Sequence, residues 1–296
     1  MAPVRAVKPH VGVRRRAVGI SQGAGMSSEL VTVPALESPD GQALHEMSRR
    51  ACVFCGYVGK LTLEHVIPRW IHGALKLTGP VEYGVGDREQ GIRIERTAPG
   101  LDVTFRGVCQ SCNNGWLHDL ETAFRTGGGR GLPGRVIELS PMDQAVAAAW
   151  GVKTWLLAER VGWRGRRPAF TGGTVLPYLR EHREPPDTFQ VWLAALDSPQ
   201  LFWHTSELIP PDPPHMGGLG IIAVGCLVFH IYAPGVWADQ ATFGLPLVPD
   251  GEFADYFLSI WPRRTDTVTW PPRYVLSFGD LQRLWPRGTK VRRPGV

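Results

Sequence analysis

Two C-x-x-C pairs, Cys52-Val53-Phe54-Cys55 and Cys109-Gln110-Ser111-Cys112, constrain this chain more than any other feature. Each pair closes a tight knuckle that offers two thiolates, and two knuckles supply the four tetrahedral ligands of a structural Zn²⁺. The first twenty residues scatter their charges and lack an apolar core, so no secretory signal is read there and a cytoplasmic setting is expected. In that setting paired C-x-x-C reads as metal binding before disulfides. The 53 residues between Cys55 and Cys109 exceed the spacing of a small zinc ribbon, so a folded segment must lie between them. The fifth cysteine, Cys226, sits in the apolar run GIIAVGCLVFHIYA and reads as a small buried hydrophobe.

The residues around the knuckles carry clear periodicities. Residues 60–64 read as a short strand leading to His65. Residues 101–106 alternate strictly, with Leu101, Val103 and Phe105 on one face, which is a second strand running into the Cys109 knuckle. Trp116, Leu120 and Phe124 then recur at helical spacing, the stripe of a helix starting near Asn113. Residues 81–85 and 91–97 are expected to form an inserted hairpin. Two strands, then a helix, with zinc tying the ends, make a ββα arrangement.

Three segments, C-x-x-C at 52–55, Glu64-His65 with Pro68 shortly after, and C-x-x-C-N at 109–113, resemble the HNH (His-Me finger) endonucleases, in the branch whose four cysteines hold a structural zinc. The likeness covers about residues 50–125, and it extends more loosely through the CNNGW run. It implies a zinc-stapled ββα-metal module in which Glu64 is a ligand of a catalytic ion, His65 the general base and Asn113 the second ligand. Many members carry Asp where this chain has Glu64, and many carry a second helix-borne ligand. The nearest analogues of that ligand here are Asn114 and His118.

The implied chemistry is physically coherent. A neutral imidazole can take a proton from water near pH 7. Oxygen donors such as Glu64 and Asn113 suit Mg²⁺ or Mn²⁺. Neighbouring strand residues face opposite sides, so Glu64 and His65 reach one phosphate only if the backbone bends there. Each assignment has a plainer rival. Glu64-His65 could be an ordinary surface pair, Asn113 a helix cap, Trp116 core, and Arg69 and Arg106 solvated side chains instead of phosphate contacts.

The rest of the chain carries no comparable motif. Residues 126–134, TGGGRGLPG, read as a linker or long turn. Ser140, Pro141 and Asp143 mark a helix start, and Val146, Ala149, Trp150 and Leu157 carry that helix to about residue 159. A shorter helix is expected over 175–182, strands over 189–194, 201–208 and 219–232, and a last short helix over 279–285. The fold class is therefore α+β: the zinc-stapled module, then an α+β region with a mostly antiparallel sheet. Four parts are expected: a disordered basic arm (1–45), the module (46–126), the C-terminal region (135–287) and a basic tail (288–296).

Charge distribution narrows the partners. The chain is +5 net, yet residues 1–28 and 283–296 carry ten cationic side chains and no acid, which leaves 29–282 at −5. Residues 184–262 hold nine carboxylates and no Lys or Arg, a surface that repels phosphate. Nucleic acid, with DNA the expected substrate, would meet the tails and the N-terminal half. The acidic C-terminal region is the place for a protein partner. No stretch is long and apolar enough to span a membrane, so no membrane partner is expected. The leading reading is a metal-dependent endonuclease with structural Zn²⁺ and catalytic Mg²⁺ or Mn²⁺, and phage defence or mobile-element biology is a context it would fit. The alternative is a noncatalytic zinc module that binds nucleic acid or a protein.

Overall fold

The computed structural model describes residues 5–9, 51–76, 81–87, 91–98, 103–162, 174–208, 217–233 and 255–283. In chain order the strands and helices are β1 (Arg5–Pro9), β2 (Leu61–His65), α1 (Arg69–Ala74), β3 (Val81–Asp87), β4 (Gly91–Ala98) and β5 (Thr104–Cys109). A helical segment follows directly, beginning as Gln110–Cys112, widening into a π-turn over Asn113–Leu117 and continuing as α2 (His118–Thr126). Then come β6 (Ile137–Leu139), α3 (Pro141–Gly162), α4 (Val175–His182), β7 (Gln190–Leu208), β8 (Gly217–Ala233), β9 (Leu258–Trp261), β10 (Val268–Trp270) and α5 (Phe278–Arg283). Among the described residues no helix is long and apolar enough to cross a membrane.

The expected ribbon is present. β2 pairs antiparallel with β5, and the helical segment follows β5 without a break. The pairing shifts register between Thr62 and Leu63, opposite Gly107. The Gly107 carbonyl accepts instead from Val53 N–H of the first knuckle (2.9 Å). That bulge resets which residues face inward: Leu61 and Glu64 are buried, while Leu63 is 50% exposed.

The larger sheet runs β4-β3-β1-β7-β8, with β9 also on β7. Its pairings are antiparallel except those of β1, which lies parallel to both β3 and β7. The hairpin β3–β4 inserted between the knuckles therefore belongs to the same sheet as the C-terminal strands. The expectation of an irregular arm over 1–45 is corrected at Arg5–Pro9, which is strand. The physical reason is that β3 and β7 otherwise present open edges, and an extended segment satisfies both. The rest of that arm and the tail at 288–296 lie outside the described residues.

Helix α3 is the centre of the molecule. Its start matches the sequence expectation: Ser140 Oγ accepts from Asp143 N–H (3.2 Å) and donates to Asp143 Oδ2 (2.6 Å), while Ser140 N–H donates to the same carboxylate (3.1 Å). Ala145, Ala148, Trp150, Val152, Trp155 and Leu157 are all buried, so the helix is covered on every side and not along one stripe. It packs on α2 through Trp150, whose ring stacks on Phe124 at 4.1 Å and 8°. It packs on β8 through the same ring and Phe229, at 5.6 Å.

The glycine-rich segment after α2 is buried. Gly128, Gly129 and Gly131 form a single 3₁₀ turn within the core, where a Cβ on Gly129 would meet Trp70 and the Phe124 carbonyl at 2.9 Å. Leu132 carbonyl accepts from Cys226 N–H at 2.7 Å, next to Gly225 at φ +62°. One apolar cluster runs from Cys52 and Phe54 through Phe124 and Trp150 to Phe229 and Trp270. The segments 46–126 and 135–287 thus share a core.

Candidate metal centre and the adjoining pocket

The first knuckle is a tight hairpin. Cys52 N–H donates to Tyr57 carbonyl and Gly56 N–H to Cys52 carbonyl, both at 2.8 Å, with Gly56 at φ +72°, a left-handed conformation that glycine adopts without steric cost. Phe54 turns inward and meets Trp116 edge-on at 4.9 Å, so the knuckle is anchored to the helical segment and Trp116 is core. The second knuckle caps the start of that segment, with Cys109 as the last residue of β5.

These two anchors bring all four sulfurs together. The Sγ atoms of Cys52, Cys55, Cys109 and Cys112 lie within 4.8 Å of one another, and Cys55 and Cys109 approach to 3.6 Å. A tetrahedron with ~2.3 Å bonds has sulfur–sulfur edges of about 3.8 Å, so the cluster needs to contract by about 1 Å at most. The thiols bias one another electrically. Burial raises the Cys52 thiol, but N–H donors of Cys109, Phe54 and Cys55 outweigh it and bring the group down to about 7. Cys55 is raised by burial. Cys112 is pushed far up by burial and then by the Cys52 charge. A thiolate at Cys52 thus opposes ionisation of Cys112, an opposition that a cation bound among the sulfurs relieves. The cluster can hold a structural metal such as zinc.

The other expected site residues separate. Glu64 faces inward from β2 and is 6% exposed. Burial raises its carboxyl to about 7, with the Lys153 ammonium opposing that shift and Glu121 adding to it. His65, next along the strand, faces the other way and is half-buried. Its Nε2 accepts from Arg69 Nε at 3.0 Å. That bond occupies the lone pair of Nε2. Leu63 and Arg106 are paired across the ribbon, as are His65 and Thr104, which puts His65 and Arg106 on one outward face with Arg69 beside them.

Asn113 does not cap the helix. The helical segment starts three residues before the position the sequence suggested, with Cys109 at its N-cap, and Asn113 has helical dihedrals. Its Nδ2 donates to Thr62 Oγ1 at 3.0 Å, and Thr62 Oγ1 donates to Val108 carbonyl at 2.9 Å. The amide is held by β2 with its oxygen left for another donor or ion. Beside it opens a pocket of about 350 Å³ whose described lining is Asn113, Asn114, Leu117, His118 and Glu121. The π-turn, with non-helical backbone at Gly115, gathers these residues on one face. Glu64 is not in that lining.

Two residues here had no place in the sequence reading. Lys153 of α3 is fully buried, donates to Glu121 Oε1 at 3.2 Å and lies 3.9 Å from Glu64 Oε1. A lysine at the centre of a helix covered on all sides is itself a signal, since such a charge is retained only with partners. Glu121 sits three residues after His118 on the helix face that lines the pocket, a spacing legible once the helix register is known. No protein-family model, no curated protein and no solved structure matches this chain.

Proposed function

We propose that this protein is an HNH-type, metal-dependent endonuclease that hydrolyses phosphodiester bonds in DNA. The observation that carries the reading is the β2–β5 ribbon, continued by a helix, closed by four clustered thiols and flanked by His65 at one end and Asn113 at the other. The donor set at the helix fits a hard divalent ion such as Mg²⁺ or Mn²⁺: Asn113, Asn114 and Glu121, residue types that offer oxygen ligands, line one pocket, and Glu64 shares Lys153 with Glu121. When bound there, such an ion supplies Lewis-acid stabilisation of charge on the phosphate.

The chain's own groups do the rest. His65 stands on the outward face of the ribbon, outside the described pocket lining, and takes a proton from water once Arg69 releases its Nε2 lone pair. Arg69 and Arg106, exposed on the same face as His65, are placed to grip backbone phosphates. Thr62 orients Asn113 by occupying its amide nitrogen.

The test is incubation of zinc-loaded protein with supercoiled plasmid and Mg²⁺, Mn²⁺ or EDTA. Wild type is expected to nick or cut with either metal and not with EDTA. His65→Ala is expected to lose roughly 10²–10⁴-fold in rate with zinc content unchanged. The burial of Glu64 and its ion pair favour a second reading, a noncatalytic zinc module that binds nucleic acid through the His65–Arg69–Arg106 face. Under that reading the plasmid stays intact in every metal, while Arg69→Ala and Arg106→Ala weaken a salt-sensitive mobility shift.

A further inference from the structure

Helix α3 carries one lysine in its middle, and that lysine has no exposed surface. Its Nζ lies 3.2 Å from Glu121 on α2, 3.9 Å from Glu64 on β2, and 5.8 Å from the centre of the Trp150 ring. One carboxylate comes from the helical segment that lines the pocket and the other from β2, while the ammonium comes from the C-terminal region. Desolvating an ammonium is costly, so this placement needs the two acids that close on it. With all three groups ionised the trio carries one negative charge, and one of its members, Glu121, faces the pocket.

We propose that Lys153 is a positioning residue of the phosphodiester site: it holds Glu121 at the pocket wall, draws Glu64 toward the same point, and offsets only part of the pair's negative charge, so that the site still attracts a divalent ion. This rests on the nuclease reading above. It makes α3 part of the site, so the segment between the two knuckles does not carry a complete active centre. The charge of Lys153 sets how strongly a second cation is drawn in. Its shape sets where the two carboxylates stand.

Those two roles separate experimentally in full-length, zinc-loaded protein. Plasmid nicking per folded molecule is measured beside Mn²⁺ affinity by electron paramagnetic resonance without DNA, with zinc content and thermal unfolding as controls. Lys153→Met removes the charge. Mn²⁺ is expected to bind more tightly at the pocket, because the negative charge of Glu121 and Glu64 is no longer offset, while nicking falls by roughly 10–100-fold because the carboxylates lose their positioning partner. Lys153→Arg keeps the charge and alters the spacing, and it serves alone should Lys153→Met not fold. Its Mn²⁺ affinity is expected within about twofold of wild type and its nicking down roughly tenfold, because a planar fork does not reproduce a point charge. Nicking per folded molecule within about twofold of wild type in either variant, or unchanged or weaker Mn²⁺ binding in folded Lys153→Met, overturns the proposal and leaves Lys153 a packing role. Wild type that nicks beside unaffected variants removes only this inference. Wild type that nicks with neither metal removes the nuclease reading, and this inference with it.

Discussion

Phe124→Ala tests whether the cysteine-closed module and the C-terminal region are one cooperative unit. Phe124 has no exposed surface. It stacks on Trp150 at 4.1 Å, tilts against Phe229 at 6.2 Å and against Trp70 at 6.3 Å, so it touches α1, α3 and β8 at once. Truncating a fully buried phenylalanine costs about 3–5 kcal/mol, of which the stacked pair accounts for about 0.5–1.5 kcal/mol. At about 2–4 °C per kcal/mol for a domain of this order of size, the midpoint is expected to fall by roughly 6–20 °C. The assay follows tryptophan fluorescence and zinc release, with a chromogenic chelator, in the same thermal ramp. Because α2 carries the Phe124 ring and continues the helical segment that begins at the Cys109–Cys112 knuckle, the two signals are expected to fall together. Zinc release that stays at the wild-type midpoint while fluorescence shifts would refute a shared core and restore two independent domains.

Zinc is expected at one ion per chain by elemental analysis; Cys109→Ser is expected to lose it and to unfold the ribbon, since metal binding is folding energy in such sites. Glu64 and His230 predict opposite pH slopes in zinc-loaded, Mg²⁺-free protein. Glu64 titrates near 7 folded against 4.5 unfolded, so its contribution is full below pH 4.5 and is lost as pH rises through 7, and Glu64→Gln is expected to flatten that decline in melting temperature. His230, with an unpartnered Nδ1 among Trp192 and Phe257, is lowered by burial from 6.5 to about 4. Its contribution is present above pH 6.5 and is lost as pH falls through 4, a loss that His230→Gln is expected to remove. Ser140→Ala, which breaks the reciprocal cap of α3, is expected to cost about 1 kcal/mol in a denaturant titration and to leave zinc content unchanged.

Local spacing alone determined much of this molecule. Two C-x-x-C pairs specify two knuckles, because a tight turn places both thiols of a pair on one side. The Trp116, Leu120 and Phe124 stripe specifies a buried helix face, and Ser140-Pro141-x-Asp143 specifies a cap, because both depend only on backbone period and neighbouring hydrogen bonds. The helix over 175–182 and the strand periods of 201–208 and 219–232 were legible for the same reason. Tertiary structure decided the rest. Whether Glu64 faces inward depends on a register shift opposite Gly107, and that shift exists because a knuckle some fifty residues earlier takes the Gly107 carbonyl. The glycine run at 126–134 has the composition of a linker, yet its lack of side chains is what lets Trp70 and Phe124 close over it. Lys153 reads in sequence as one charge in an apolar helix. Its partners lie on β2 and α2, and only packing brings an ammonium and two carboxylates from three elements to one point, where low polarity makes their mutual attraction large enough to hold them.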